Sequence, residues 1–277
     1  MPILELLKAL LYGIVEGITE WLPVSSTGHL ILLGEWMPLK VSDNFSEMFD
    51  VVIQLGAILA VIVLFFRKLN PFAPSKTSLE KKNTWGLWLR VLVAVIPSAA
   101  VGILLDDWLD ATLYNYVTVA VALIVYGAIF LFIEKFKPES GARVTDVGGI
   151  TYTTAFLIGA FQMLALIPGT SRSGSTIIGA MLLGLSRAAA AEFSFFMAIP
   201  TMAGASLLKV VKFVGDGMTV SPLEWGILAV GCISAFAVSM VAIRFLMDFV
   251  KKHSFSSFGV YRIALGILVL GYFLIGR

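Results

Sequence analysis

The chain has 277 residues, of which 58% are hydrophobic and 14% charged; soluble domains run near 45–50% and about 25%, so a soluble globular protein is excluded. A formal net charge of +2 is too small to argue for nucleic acid, and a lone cysteine, Cys232, excludes an internal disulfide framework. Residues 1–22 do not read as a signal peptide, because Glu16 and Glu20 interrupt the apolar core and no small-residue cleavage site follows.

A membrane-spanning helix needs about 20 mostly apolar residues. In chain order, the first apolar region, Ile3–Leu39, is broken near its middle by Pro23 and Gly28. Unbroken spans are predicted over Phe49–Phe66, Trp85–Leu105 and Leu113–Ile133. A second interrupted region, Ile150–Leu185, carries Pro168-Gly169 and Gly174, and three more spans follow over Phe193–Val211, Trp225–Val250 and Phe258–Ile275. Each half of an interrupted region is short for a crossing, so both are predicted to be re-entrant helical hairpins. Non-helical backbone at that depth is tolerated only where protein or a water-filled cavity surrounds it.

Loop charges set the expected orientation. Arg67, Lys68, Lys76, Lys81 and Lys82 crowd one loop, Lys135, Lys137 and Arg143 another, and Lys251 and Lys252 a third. Asp106, Asp107 and Asp110 make an acidic turn between the first two. The positive-inside rule places the basic loops in the cytoplasm, the acidic turn outside and, by counting crossings, both termini outside. Lys40, Lys209 and Lys212 run against that assignment.

The halves resemble each other. G-x-x-E-x-x-x-E from Gly13 aligns with G-x-x-Q-x-x-x-L from Gly159, and S-x-T-G at Ser25 aligns with S-x-S-G at Ser171. A hairpin plus three crossings is an odd number, so the second copy is expected to be inverted relative to the first, with a site at the broken helices. The expected architecture is a single all-α membrane domain over 1–277, with repeats of about 1–140 and 148–277: six transmembrane helices, two re-entrant hairpins and an inverted-topology repeat.

The chemistry is concentrated in the two breaks. Glu16 and Glu20 lie one helical turn apart on one face; in a low dielectric both do not ionise without a cation, either Arg172 or a divalent metal. Ser25, Ser26 and Thr27 follow Pro23 and precede Gly28 and His29. Hydroxyl residues there cap a helix, and a serine near a histidine or glutamate is also the arrangement of an activated nucleophile. His29 suits proton transfer to a leaving oxygen. In the second break, Pro168-Gly169 ends one helix and Thr170-Ser171 opens the next. A helix N-terminus favours phosphate, Arg172 adds a planar fork for two phosphate oxygens, and Ser171, Ser173 and Thr176 add donors. Ionisable groups at such depth are retained for a function. Asp50 and Gln54 open the first full span and face either the cavity or packing. Arg187 and Glu192 read as an interfacial pair, and Gly204 and Gly266 as helix-packing positions.

At Glu16-x-x-x-Glu20, Pro23-x-Ser25-Ser26-Thr27-Gly28-His29 and Pro168-Gly169-x-Ser171-Arg172-Ser173-x-x-Thr176 the chain resembles the bacterial undecaprenyl pyrophosphate phosphatase family of the bacitracin-resistance type. V-V-I-Q-L-G-A-I-L-A-V from Val51 and E-F-S-F from Glu192 extend the likeness through nearly the whole length. The resemblance implies hydrolysis of a C55 polyprenyl pyrophosphate to the monophosphate, recycling the carrier lipid for peptidoglycan synthesis in the bacterial cytoplasmic membrane, with the site open to the outer face. It further implies a divalent cation, Mg2+ or Ca2+, held by Glu16 and Glu20, and a homodimer in many members. Ser26 is the favoured nucleophile, with His29 as proton donor and Arg172 as pyrophosphate clamp; Ser25, Thr27, Gly28, Ser171, Ser173, Thr176 and Gln54 are expected around the substrate. The competing reading is a lipid flippase or secondary transporter, to which an inverted repeat and broken helices are equally suited.

Overall fold

The structure, a computed structural model, describes residues 2–113, 115–136 and 141–275, with the side chains of residues 106, 107 and 110 outside that description. The acidic groups of Asp106, Asp107 and Asp110, and all of Lys137, therefore lie outside the described residues. Regular structure is helical, apart from an isolated parallel bridge between Val144 and Leu185.

The first interrupted region forms α1 (Pro2–Thr19), an irregular tip, and α2 (Ser26–Trp36). Three elements with one short insertion follow: α3 (Asp43–Leu64), the single turn α4 (Phe66–Leu69), α5 (Ser78–Leu113) and α6 (Tyr116–Phe136). The second interrupted region forms α7 (Tyr152–Gln162), a 3-10 turn over Met163–Leu166, and α8 (Arg172–Leu182). Then come α9 (Arg187–Gly215), α10 (Pro222–Val250) and α11 (Ser256–Ile275). Six helices, α3, α5, α6, α9, α10 and α11, are long and apolar enough to cross a membrane, one for each span expected from sequence, although α3 ends at Leu64 rather than Phe66 and α6 begins at Tyr116 rather than Leu113.

α5 and α9 exceed their expected spans by the most. α5 begins at Ser78 rather than Trp85, because Thr77 and Glu80 cap it reciprocally: the Thr77 N–H donates to Glu80 Oε2 at 2.7 Å and the Glu80 N–H to Thr77 Oγ1 at 3.3 Å. α9 begins at Arg187 behind an Ser186 cap on the Ala189 N–H. These first turns are polar, so a hydropathy window does not see them.

Close helix contacts position the two broken regions. α1 packs along α10 and α7 along α5, while α6 pairs with α11 and α3 with both α9 and α10. Gly13 lies against Gly231 and Ser234 of α10, and Gly159 against the Ala94 carbonyl of α5; a Cβ at either position would collide with that neighbour. Small residues allow such approach where lipid supplies no hydrophobic drive between helices. Beneath the two tips sits an aromatic cluster in which Trp21 meets Phe195 edge-on at 5.2 Å and Phe65 meets Phe196 likewise.

Two sequence expectations need correction. Arg187 and Glu192 are not each other's partners: Arg187 pairs with Glu134 of α6, and Glu192 with Lys68 of α4 at 2.9 Å. Five positions apart on α9, they miss the i, i+3/i+4 geometry that faces two side chains together. Gly204 has no atom of the described residues within 4 Å of a Cβ built there, whereas Gly266 does sit tightly against Ile124 and the Ala120 carbonyl of α6.

Candidate functional site

Both tips turn into a following helix in the same way. Ser25 and Ser171 are the non-glycine residues with positive φ among those described, at 73° and 74°. Each caps the helix after it: Ser25 Oγ accepts from the Gly28 N–H at 3.3 Å, and Ser171 Oγ from the Gly174 N–H at 3.1 Å. A non-glycine residue held in the left-handed region costs on the order of 1–3 kcal/mol and persists where surrounding structure enforces it. The capping role considered for Ser25 is thus the one it fills.

The tips meet. Arg172, first residue of α8, donates from Nε and Nη2 to Glu20 Oε1 at 3.1 Å each. Its Nη1 donates to the Ser194 carbonyl of α9 at 2.8 Å, and its guanidinium lies 5.9 Å from the centroid of the Trp21 ring. The other Glu20 oxygen, Oε2, accepts from Ser26 Oγ at 2.9 Å. One carboxylate therefore holds the guanidinium and a serine hydroxyl together. Arg172 and Glu20 are nearly buried, with side chains 10% and 6% exposed, so this is a desolvated ion pair rather than a surface one.

Glu16 lies one turn before Glu20 on α1, fully buried, and neither carboxylate oxygen has a hydrogen-bond partner. Asp50 of α3 also has a buried, unpartnered oxygen, and both it and Arg172 are close enough to act electrostatically on Glu16. A buried polar group with no partner calls for a proton, a water or an ion.

The remaining candidates separate by role. Ser173 Oγ donates to the carbonyls of Glu20, at 3.0 Å, and Leu22, at 3.3 Å, so it stitches the second tip to the first. Thr176 is fully buried and bonds the Arg172 carbonyl at 2.9 Å and Ser194 Oγ at 2.7 Å, which supports Arg172 from behind. Ser171 is within 3.2 Å of Ser173 Oγ. Thr27 and Gly28 occupy the first turn of α2, Thr27 half-buried and Gly28 buried. Gln54 is half-buried on α3 and does not join the Glu20–Arg172 network among the described residues.

His29 stands on a different branch from Ser26. Its Nδ1 is 2.7 Å from the Ser25 carbonyl, which can only accept, so Nδ1 carries the proton. Its Nε2 is 2.6 Å from the Tyr261 hydroxyl of α11. Sequence reasoning missed Tyr261, Ser194 and Arg262. Arg262 left a signal: a guanidinium in the middle of an apolar span is itself a flag for function. Ser194 left none beyond its place in the E-F-S-F stretch, and Tyr261 reads as an interfacial aromatic.

Taken together, these features define a polytopic membrane protein with a buried polar site built where two broken helices meet. A family model described as bacitracin resistance protein BacA matches residues 9–268, and the chain belongs to that family. Among its relatives, an undecaprenyl-diphosphatase of Lactiplantibacillus plantarum is 56% identical over 98% of this chain and 98% of its own length. Proteins of the same description from Enterococcus faecalis and Streptococcus thermophilus are 55% and 56% identical over 98% of this chain, and 98% and 94% of theirs.

Proposed function

We propose that the chain is a membrane phosphatase that hydrolyses undecaprenyl diphosphate to undecaprenyl phosphate and inorganic phosphate. Family membership and relatives bearing that activity in their names carry the reaction class. The observation that carries the mechanism is Glu20, which accepts from Ser26 and pairs with Arg172 at once. In this reading Glu20 takes the Ser26 proton as Oγ bonds to the terminal phosphorus, and the bond from that phosphorus to the bridging oxygen breaks. Undecaprenyl phosphate leaves with the bridging oxygen and its electron pair, taking a proton from His29, which enters the step protonated on both ring nitrogens. Water then adds to the phosphoserine phosphorus and gives one proton back to His29, while the P–Oγ bond breaks, Glu20 returns the first proton to Ser26 Oγ and inorganic phosphate leaves. Arg172, at the N-terminus of α8, faces the charge that builds on the transferring oxygens.

The residues fit a divalent cation. Glu16 presents two unpartnered oxygens, a hard donor pair suited to Mg2+ or Ca2+. Among the described residues no group of three or more His, Cys, Asp or Glu converges, so Glu16 with Glu20 would hold the ion. When bound, the ion supplies charge neutralisation at the phosphoryl oxygens.

The finer architecture belongs to the same reading. We take α1–α2 and α7–α8 as re-entrant hairpins of two inverted repeats, about 1–140 and 148–277, within one membrane domain. Its support is that the helix pairings exchange under that symmetry: α1 on α10 matches α7 on α5, while α6–α11 and α3–α9 map onto themselves. Orientation draws on one end of the bundle, where Lys68 pairs with Asp146 and Glu192, and Glu134 with Arg187 and the Phe255 N–H. The positive-inside rule assigns that end to the cytoplasm, both termini outside, and the site opening to the outer face. The homodimer is an expectation for cross-linking in native membranes to test.

Purified protein in detergent, given a C55 diphosphate and Mg2+, should release phosphate and yield a phosphopeptide at Ser26 on acid quench. Lipid binding without phosphate release would replace the enzyme with a carrier. Release without label at Ser26 would move the nucleophile to water or to His29, whose phosphoramidate acid destroys.

A further inference from the structure

Arg262 is fully buried in α11, and no acidic group lies within ion-pair distance of it among the described residues. Its Nη1 donates to the Pro23 carbonyl at 3.1 Å, and its Nη2 to the Gly169 and Thr170 carbonyls at 2.8 and 2.9 Å. Pro23 belongs to the first tip; Gly169 and Thr170 belong to the second. Its ring neighbour is Tyr126 of α6, 5.7 Å from the guanidinium carbon, and Nε has no partner. A Cβ at Gly174 would stand 3.3 Å from Nη1, so this cation sits against the positive end of α8, where a helix dipole disfavours it. A buried cation in that position is not explained by packing. Its one visible work is to hold three orphan carbonyls that the helix breaks leave behind.

We propose that Arg262 is a positioning residue for phosphoryl transfer: it clasps both tips and fixes the separation at which one carboxylate reaches Arg172 and Ser26 together. The fork is needed because one nitrogen serves each tip, about 2.3 Å apart across the guanidinium, and a lysine ammonium is a single point. Ser173, which bonds the Glu20 and Leu22 carbonyls, and the Arg172–Glu20 pair are the other links between the tips among the described residues. With Arg262 gone, the tips keep those bonds but lose the lateral constraint. The proposal rests on the phosphatase reading for its kinetic arm alone.

The test compares Arg262→Lys and Arg262→Gln in a Cys232→Ser background. Spin labels at Ile18 and Leu164, exposed on α1 and on the turn after α7, report tip-to-tip distance by electron–electron resonance without substrate. Expected are a narrow distribution for the parent and a broadened one for both variants. The kinetic expectation is a fall in kcat of about 10²-fold, the cost of misplacing reacting groups by roughly 1 Å, with KM changed less than threefold. Free guanidinium should restore part of the kcat of Arg262→Ala and narrow its distribution, which separates lost positioning from lost folding. Unchanged distances in both variants overturn the proposal. So does near-parental activity in Arg262→Lys with a raised KM in Arg262→Gln, since that pattern belongs to a cation that binds substrate. A parent that shows narrow distances but releases no phosphate would instead count against the phosphatase reading.

Discussion

Arg172 reaches across 152 residues of sequence to place two N–H groups on one oxygen of Glu20, leaving the other oxygen free to accept from Ser26. Because the carboxylate is shared, loosening either partner changes both. Removing one member of a desolvated ion pair leaves the other buried and uncompensated, which costs about 3–5 kcal/mol.

Arg172→Lys should therefore not behave as a conservative change. A lysine keeps the charge but cannot span Glu20 and the Ser194 carbonyl with a planar fork. We expect kcat to fall about 10²–10³-fold, the range for losing a donor aimed at developing charge. Phosphate release at saturating lipid diphosphate reads this directly. Glu20→Gln should lose about 10²–10⁴-fold through the missing base, and a variant of either kind with parental kcat refutes the shared-carboxylate mechanism.

The adjacent serines should separate cleanly. Ser26→Ala removes the nucleophile and should abolish both turnover and acid-stable phosphoserine. Ser25 is a cap at φ 73°, so Ser25→Gly should cost only a few tenths of a kcal/mol, since glycine both tolerates the backbone and is an acceptable cap. Ser25→Ala loses the cap without relieving strain and should cost about 1 kcal/mol or more. Thermal melting in detergent ranks the three; equal melting of the Gly and Ala variants would contradict the capping role.

How legible was this arrangement? All six spans and both helix breaks could be read from hydropathy and from Pro23, Gly28, Pro168 and Gly174, because the bilayer imposes a length and proline removes a donor. The meeting of Glu20 with Arg172 was readable as a need, since two carboxylates in an apolar stretch demand a cation. What sequence could not supply was partner choice among several polar groups. Ser173 and Thr176, expected near the phosphate, bond the tip carbonyls and Ser194 in the structure. His29, expected as the proton donor, has Tyr261 as the partner of its Nε2. Such choices turn on side-chain direction around a helix, about 100° per residue, and on which carbonyls the breaks leave free.

Glycines show the same limit from the other side. Gly159→Val should disrupt the α5–α7 contact, because a Cβ there meets the Ala94 carbonyl of the neighbouring backbone, and backbone does not yield as a side-chain tip does. The expected cost is about 1–3 kcal/mol or more, typical of overpacking. Gly204→Ala meets nothing within 4 Å and should be neutral or gain up to about 1 kcal/mol from helix propensity. If Gly204→Ala disturbs assembly while leaving the monomer's melting unchanged, a second copy covers that face.

At the basic end of the bundle, Asp146 gives a pH test away from the membrane core. The Gly148 N–H, at 2.7 Å from Oδ1, and then Lys68 hold its carboxyl below the ordinary 3.8. The ionised form is favoured by folding, so its stabilisation is present above about pH 3.8 and is lost as pH falls through the lower folded value. Asp146 is largely exposed, so screening keeps the contribution under about 1 kcal/mol. Asp146→Asn should melt slightly below the parent at pH 7, with the gap closing only under pH 4 or so. A gap that widens on acidification would reverse the sign.

Glu16 offers the sharpest test of the cation. Both of its oxygens are buried without partners, so the group must be satisfied by a proton, a water or an ion, and only a held ion responds to chelation. If an ion is held there, EDTA should abolish phosphate release and Mg2+ or Ca2+ should restore it, with the parent melting lower when stripped, by linkage between binding and folding. Glu16→Gln should then need at least about tenfold more metal for half-maximal activity, and its melting should no longer respond to chelator. If Glu16 is instead kept neutral by a proton, Gln mimics it: melting of the parent would ignore EDTA, and Glu16→Gln would retain the parental metal requirement. Measuring melting alongside turnover separates an ion held by the protein from one that arrives only with the phosphate.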